Sequence, residues 1–251
     1  MRNYKAFIFD LFDTLIDFDR SRLPEFSVDG EKHNSTFTPV YKVFGKYYQG
    51  YDKHKFYDAF VTSYEEFQRL KSIDQKEFYN GERFKILMRS LGIELGSDVD
   101  RVVDEMVKAH MKSLSTAMEF PEENREVLDF LSDKNDRMAI ISNFDYAPAA
   151  YDLLNKFDIR KYFERIIISA ELGWRKPRPE IFLEALDLLN IRAVDALYVG
   201  DNYYADVVGA KSVGMDVIWV NRKDEKIYDQ KYHPNHIVSK FGKIMSLIPN
   251  S

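Results

Sequence analysis

The chain has 251 residues, a formal net charge of -5 and no cysteine. That length can bury a substantial core, and the missing thiols exclude disulfides, zinc-thiolate sites and a thiol nucleophile. The mildly acidic balance, with no basic face to neutralise phosphates, argues against a nucleic-acid partner.

The first apolar run, Ala6-Phe7-Ile8-Phe9, is closed by Asp10, too early for a secretory signal. No stretch approaches the length of a membrane span, so a soluble cytoplasmic protein is expected. From about 17 to 125 no strand pattern is evident. A polar, turn-rich piece (Ser21 to Pro39) gives way to helical spacing at Phe56, Phe60, Tyr64, Phe67 and Leu70. The spacing continues at Phe84, Leu87, Met88 and Leu91, and again from Val99 to Val107. Consecutive helices without intervening strands predict a helical domain over 17–117, inserted into an α/β core made of 1–16 and 118–251. Its many aromatics, Tyr41, Phe44, Tyr48 and Tyr51 among them, read as packing of a helical layer.

From Glu122 the alternation becomes regular. A helix through Val127, Leu128 and Leu131 leads to the run Met138–Ile141, closed by Ser142. The run Arg165–Ile168 is followed by a loop carrying Lys176 and by a helix from Pro179. Ala196–Gly200 ends at Asp201, a helix ends near Gly214, and Val217–Val220 forms the next strand. The segment from Ile227 to Ser251 reads as a loop, a short strand at Ile237-Val238 and a terminal helix. The predicted fold class is α/β, with a Rossmann-like parallel sheet.

In such sheets ligands bind outside the carboxyl ends of the strands. Asp10, Ser142, Lys176 and Asp201 should therefore share one crevice, a constellation suited to attack on a small anionic substrate. Asp10 is the candidate nucleophile, since a carboxylate can form a covalent intermediate that water later hydrolyses. Lys176 would hold Asp10 ionised and offset charge on the transferred group. Ser142 and Asn143 offer donors to a bound oxyanion. Thr14 is placed to hydrogen-bond near the nucleophile or to cap the next turn. Asp10 and Asp201 could hold Mg²⁺, which favours one or two carboxylates plus waters and substrate oxygens. Asp206 is expected to support the following helix. His233 and His236 flank Pro234 and read as loop residues.

Together, Phe9-Asp10-Leu11-Phe12-Asp13-Thr14-Leu15, Ile141-Ser142-Asn143, Gly173-Trp174-Arg175-Lys176-Pro177 and Gly200-Asp201-Asn202 through Asp206 resemble the haloacid dehalogenase-like hydrolase superfamily. The resemblance implies an Asp10 nucleophile, a Mg²⁺ ligand at Asp201 supported by Asp206, a further ligand from the Phe12 carbonyl, and a type-1 cap formed by the helical insertion. One position departs from the pattern. Phosphatases of the superfamily place a general acid-base aspartate two residues after the nucleophile, where this chain has Phe12. An aromatic there is similar to the 2-haloacid dehalogenases, whose leaving halide needs no proton, yet those enzymes use no metal and lack the counterpart of Asp201. The leading expectation is a Mg²⁺-dependent phosphatase acting on a small phosphorylated metabolite. A 2-haloacid dehalogenase and a non-catalytic phosphate-site binding protein stay open, and the sequence leaves oligomeric state unread.

Overall fold

The computed structural model describes residues 3–134, 136–227 and 229–248. The chain divides into two compact units, Met1–Asp17 with Glu119–Ser251, and Phe18–Met118. Its strands are β1 (Ala6–Phe9), β2 (Asp17–Phe18), β3 (Glu25–Val28), β4 (Glu31–Asn34), β5 (Met118–Glu119), β6 (Arg137–Ser142), β7 (Arg165–Ile168), β8 (Ala196–Gly200), β9 (Asp216–Val220) and β10 (His236–Val238). The α-helices are α1 (Phe37–Tyr47), α2 (Lys53–Asp74), α3 (Gly81–Ser90), α4 (Ser97–Thr116), α5 (Glu122–Asp133), α6 (Ala147–Lys156), α7 (Ser169–Leu172), α8 (Pro179–Leu189) and α9 (Gly209–Ser212). No helix among the described residues is long and apolar enough to cross a membrane.

In the first unit a six-stranded parallel sheet runs in the order β10-β9-β8-β1-β6-β7. It is an α/β fold. β1 is central and wholly buried, which explains why its four residues show no polar alternation. Chain order runs from β1 through β6 to β7 on one side and from β8 to β10 on the other. The reversal falls between β1 and β8, whose carboxyl ends carry Asp10 and Asp201. Ile8, Tyr198 and Trp219 of the sheet share a buried cluster with Phe182 and Leu186 of α8. Pro179 starts α8 at a position where its missing N–H is not needed, and Asn190 ends it in the left-handed region at φ 50°.

The second unit departs from the strand-free expectation. β3 and β4 form an antiparallel hairpin in which Phe26 and Val28 are buried and alternate with exposed Glu25 and Ser27. Asp29 and Gly30 turn the chain at φ 51° and 82°, the two positive values that a tight hairpin turn needs. The Asp-Gly pair was the signal in the sequence, masked by the polar content of Glu31–Asn34. Phe26 lies 4.7 Å from Phe37, and Phe44 lies 4.6 Å from Phe56, so these aromatics pack the helical layer as expected. Two further elements differ from the sequence reading. The helix after Asp201 starts as π-helical turns (Tyr203–Val208), and the last described segment is a 3-10 helix (Phe241–Leu247). The rest of the expected terminal helix, 249–251, lies outside the described residues.

His110 of α4 is buried, with Nδ1 2.6 Å from the Thr36 hydroxyl. Burial, reinforced by the Arg83 charge, pushes its pKa well below the ordinary histidine value. The native state thus needs the neutral ring, while the unfolded chain protonates near pH ~6.5. Stability is therefore complete above that pH and falls as pH drops below it, by at most about 1.4 kcal/mol per pH unit. Urea midpoints at pH 7.5 and 5.5 check this: the wild type should lose more than His110→Gln. Equal losses would show that His110 is not the titrating group.

Candidate active site

Four strand ends of the sheet unit supply the site. Asp10 follows β1 and its backbone N–H donates to the Val199 carbonyl at 2.9 Å, which locks it beside β8. Lys176 comes from the loop between α7 and α8 and is buried. Its Nζ, with three N–H donors, lies within hydrogen-bond distance of Asp10 Oδ1 (2.6 Å), Asp206 Oδ1 (2.7 Å), the Tyr198 hydroxyl (2.9 Å) and the Ile141 carbonyl (3.0 Å). Its backbone is held by Asn143, whose Oδ1 accepts from Lys176 N at 2.7 Å while Nδ2 donates to Lys176 O at 3.0 Å. Both polar atoms of that amide therefore engage the lysine loop, which fits a positioning task better than the substrate contact expected from sequence.

Asp206 is more than the helix-terminal acid that the sequence suggested. It is buried, and Oδ1 accepts from Tyr198 at 3.0 Å as well as from Lys176, while Oδ2 accepts from Asn202 N at 2.9 Å. The π-helical turns bring this carboxylate back under the strand end. Space there is tight: a Cβ on Gly200 would lie 2.4 Å from Asp206 Cγ. Gly200→Ala is accordingly expected to destabilise the protein by about 1–3 kcal/mol and to displace the anchor of Lys176. Thermal unfolding and turnover check it; wild-type values for both would show that the contact is easily relieved.

The electrostatics follow from burial. Desolvation pushes Asp10 up to about 6, against the pull of Lys176 and with a further push from Asp206. Its carboxylate is still mostly ionised at neutral pH. Burial also raises Asp201, followed by the charges of Asp10, Asp206 and Asp13, to about 8. Burial opposes the charge on Lys176, but Asp10 and Asp206 outweigh it and hold the ammonium above its ordinary value. Asp10, Asp201 and Asp206 each offer an oxygen within 4.8 Å of the others, the metal-capable cluster found among the described residues. An all-oxygen set whose negative charges repel fits a hard cation such as Mg²⁺. With Asp206 already engaged on both oxygens, Asp10 and Asp201 are the carboxylates left for it.

Thr14 is fully buried and its hydroxyl donates to Asp201 Oδ1 at 3.5 Å, a long contact. Ser142 Oγ is buried without a hydrogen-bond partner among the described residues, leaving a hydroxyl to spend on a ligand. The Phe12 ring sits 4.6 Å from Phe144, so an aromatic pair stands at the expected acid-base position. Asp13 is exposed and left-handed at φ 61°, and does not replace it. Arg178 stacks on Trp174 at 4.0 Å and pairs with Glu180, which neutralises it locally.

Several residues escaped the sequence reading. Asn124 Nδ2 donates to the Leu15 carbonyl at 2.9 Å, bracing the loop that follows Asp10. Arg222 pairs with Asp17 at 2.7 Å and reaches the Thr14 carbonyl at 3.4 Å. Tyr198 sits within an apolar run and looked like core. Its position, three residues before Asp201 in a parallel strand, was the available signal.

Residues 51–220 match the model of the family described as haloacid dehalogenase-like hydrolase. The chain is 30% identical over 215 residues to a glyceraldehyde 3-phosphate phosphatase of Pyrococcus abyssi, covering 86% of this chain and 80% of the relative. Among solved structures, a 2-haloacid dehalogenase from Pseudomonas syringae pv. Tomato superposes with a TM-score of 0.67 at 19% identity, over 97% of both chains. A HAD-hydrolase, YfnB, from Bacillus subtilis, described as bound to magnesium with interdomain movement, gives 0.61 at 17% identity over 98% of this chain and 99% of that one. At these identities the two structures speak for the fold.

Proposed function

The chain belongs to the haloacid dehalogenase-like hydrolases and is an enzyme of that class, and within it we propose a Mg²⁺-dependent phosphatase acting on a small phosphorylated metabolite. The observation that carries this reading is the pair of neighbouring carboxylates, Asp10 and Asp201, with Lys176 charged beside them. A second acid next to an anionic substrate is unfavourable unless a cation lies between the two. The Pyrococcus relative, named for a phosphate ester substrate, supports the same class.

Asp10 attacks phosphorus and the P–O bond to the leaving group breaks, giving an aspartyl-phosphate that water hydrolyses. Lys176 keeps Asp10 ionised, and the Ser142 hydroxyl, with the backbone around Asn143, donates to the phosphoryl oxygens. Asp10, Asp201 and the Phe12 carbonyl would hold Mg²⁺, which when bound would supply charge stabilisation for the transferred group. Asp206 holds Lys176, and Thr14 steadies Asp201. The helical insertion, 17–117, acts as a cap that admits substrate and excludes water.

Phe12 cannot move a proton, so substrates with good leaving groups, acyl or aryl phosphates, are favoured over alkyl phosphates. Loss of a general acid-base costs on the order of 10²–10⁴ in rate where protonation matters. The same residue motivates a second reading, 2-haloacid dehalogenase, because its contact with Phe144 makes an apolar wall of the kind a halide leaving group tolerates. Phosphate release with and without Mg²⁺, measured beside chloride release from 2-chloropropionate, separates the two. Phe12→Asp, checked first for folding, should raise alkyl phosphate turnover much more than aryl phosphate turnover. Equal changes on both classes would remove Phe12 from the acid-base position; chloride release with no phosphate release would reverse the assignment.

A further inference from the structure

We infer that Trp219 is the positioning residue of the Asp201 carboxylate and sets the preference of the cation site for Mg²⁺ over Ca²⁺, an inference that rests on the Mg²⁺ reading above. Trp219 is fully buried in β9, in register with Gly200. Its indole Nε1–H donates to the Asp201 carbonyl at 2.7 Å. A buried indole N–H needs an acceptor, and β9 delivers it to the first peptide beyond the β8 strand end. That peptide is the one whose rotation would swing the Asp201 side chain.

The other atoms around it are also fixed. Asn202 N donates to Asp206 Oδ2 at 2.9 Å, and Asn202 Oδ1 caps Ala205 N at 2.8 Å. Tyr203 opens the π-helical segment and packs against Trp219 with ring centroids 5.2 Å apart. Its hydroxyl lies 2.7 Å from the Asp229 carbonyl and 2.9 Å from that of Tyr232. π-helical turns are rare and frequently occur at functional sites. Asp201 is therefore presented on a backbone with little freedom left, and Trp219 supplies the bond from the neighbouring strand.

Rigidity at this point acts on cation choice. Mg²⁺ demands near-ideal octahedral geometry at short distances, whereas Ca²⁺ accepts more ligands over a wider range. Groups that orient a ligand without touching the metal typically account for 10–100-fold in affinity. Trp219→Phe keeps an aromatic filler beside Tyr203 and removes the N–H. Isothermal titration with Mg²⁺ alone and with Ca²⁺ alone, without substrate, should show Mg²⁺ binding weakened roughly 10–100-fold and Ca²⁺ binding much less. The Mg²⁺/Ca²⁺ ratio then falls. Loss of both in equal proportion would mean general packing damage, and an unchanged ratio would likewise overturn the inference.

The wild-type protein gives a second measurement that does not depend on the variant folding. Its indole N–H proton resonance for Trp219, assigned with Trp174→Phe, should shift on saturation with Mg²⁺. No shift despite calorimetric Mg²⁺ binding would overturn the role of Trp219 and leave the cation site standing. No Mg²⁺ uptake by the wild type at all would overturn the cation reading itself, and this inference with it.

Discussion

Asp10→Asn is expected to lose activity by roughly 10⁴-fold or more, the scale of a deleted nucleophile, while the fold survives. Asparagine matches the shape of aspartate, yet its amide cannot attack phosphorus to give the same intermediate. Stability should change little. Lys176 loses one charged partner but keeps Asp206, Tyr198 and the Ile141 carbonyl. The substitution also removes a charge whose burial already pushes Asp10 up to about 6. Turnover on the best substrate, circular dichroism and a thermal melt test this together. Near-wild-type turnover would make the covalent mechanism wrong, whatever the melt shows.

Lys176→Met should damage both stability and activity. The ammonium lies between two buried carboxylates, at 2.6 Å from Asp10 and 2.7 Å from Asp206. Removing one partner of a buried ion pair typically costs about 3–5 kcal/mol because the remaining charge is uncompensated. Without the ammonium, Asp10 is protonated more readily, which depletes the ionised form proposed to attack. The sign of the pH effect follows: a carboxyl whose folded pKa is raised takes up protons in the native state first. Removing Lys176 raises Asp10 above its wild-type value of about 6, so the stability deficit is largest at alkaline pH and shrinks as pH falls toward about 6. Adding Asp206→Asn should recover much of the stability and none of the turnover. Recovery of turnover in the double variant would show that Lys176 serves only to balance Asp206.

The parts of this arrangement that were legible in sequence are those with a strong local signature. β1, β6, β8 and β9 read as strands because burial on both faces leaves near-continuous apolar runs. Asp10, Ser142 and Asp201 announce themselves as polar residues closing such runs. What escaped belongs to two kinds. The β3–β4 hairpin was hidden because only Phe26 and Val28 are buried, too few for the alternation to dominate. Tyr198 and Trp219 were hidden for the opposite reason. Amphipathic side chains inside apolar runs count as core in any periodicity, and their polar atoms matter only once the neighbouring strand is placed. Asp206 was legible as a supporting acid, but its contact with Lys176 was not, since the π-helical winding that directs it there leaves no trace in residue spacing.

The order of strands bears on how the protein comes into being. β1 pairs with β6 and β8, so Ala6 must find both Arg137 and Ala196. During synthesis the central strand therefore emerges with neither neighbour, and its second edge stays open until the chain reaches Val199. At about 5–20 residues per second that interval lasts on the order of 10–40 s. For that time a four-residue, wholly apolar strand has unpaired backbone on at least one side, the condition that favours intermolecular pairing. Contacts this distant also make folding slow, because loop closure precedes any gain from pairing. The protein's yield on expression should thus depend on chaperone capacity and temperature more steeply than its final stability would suggest.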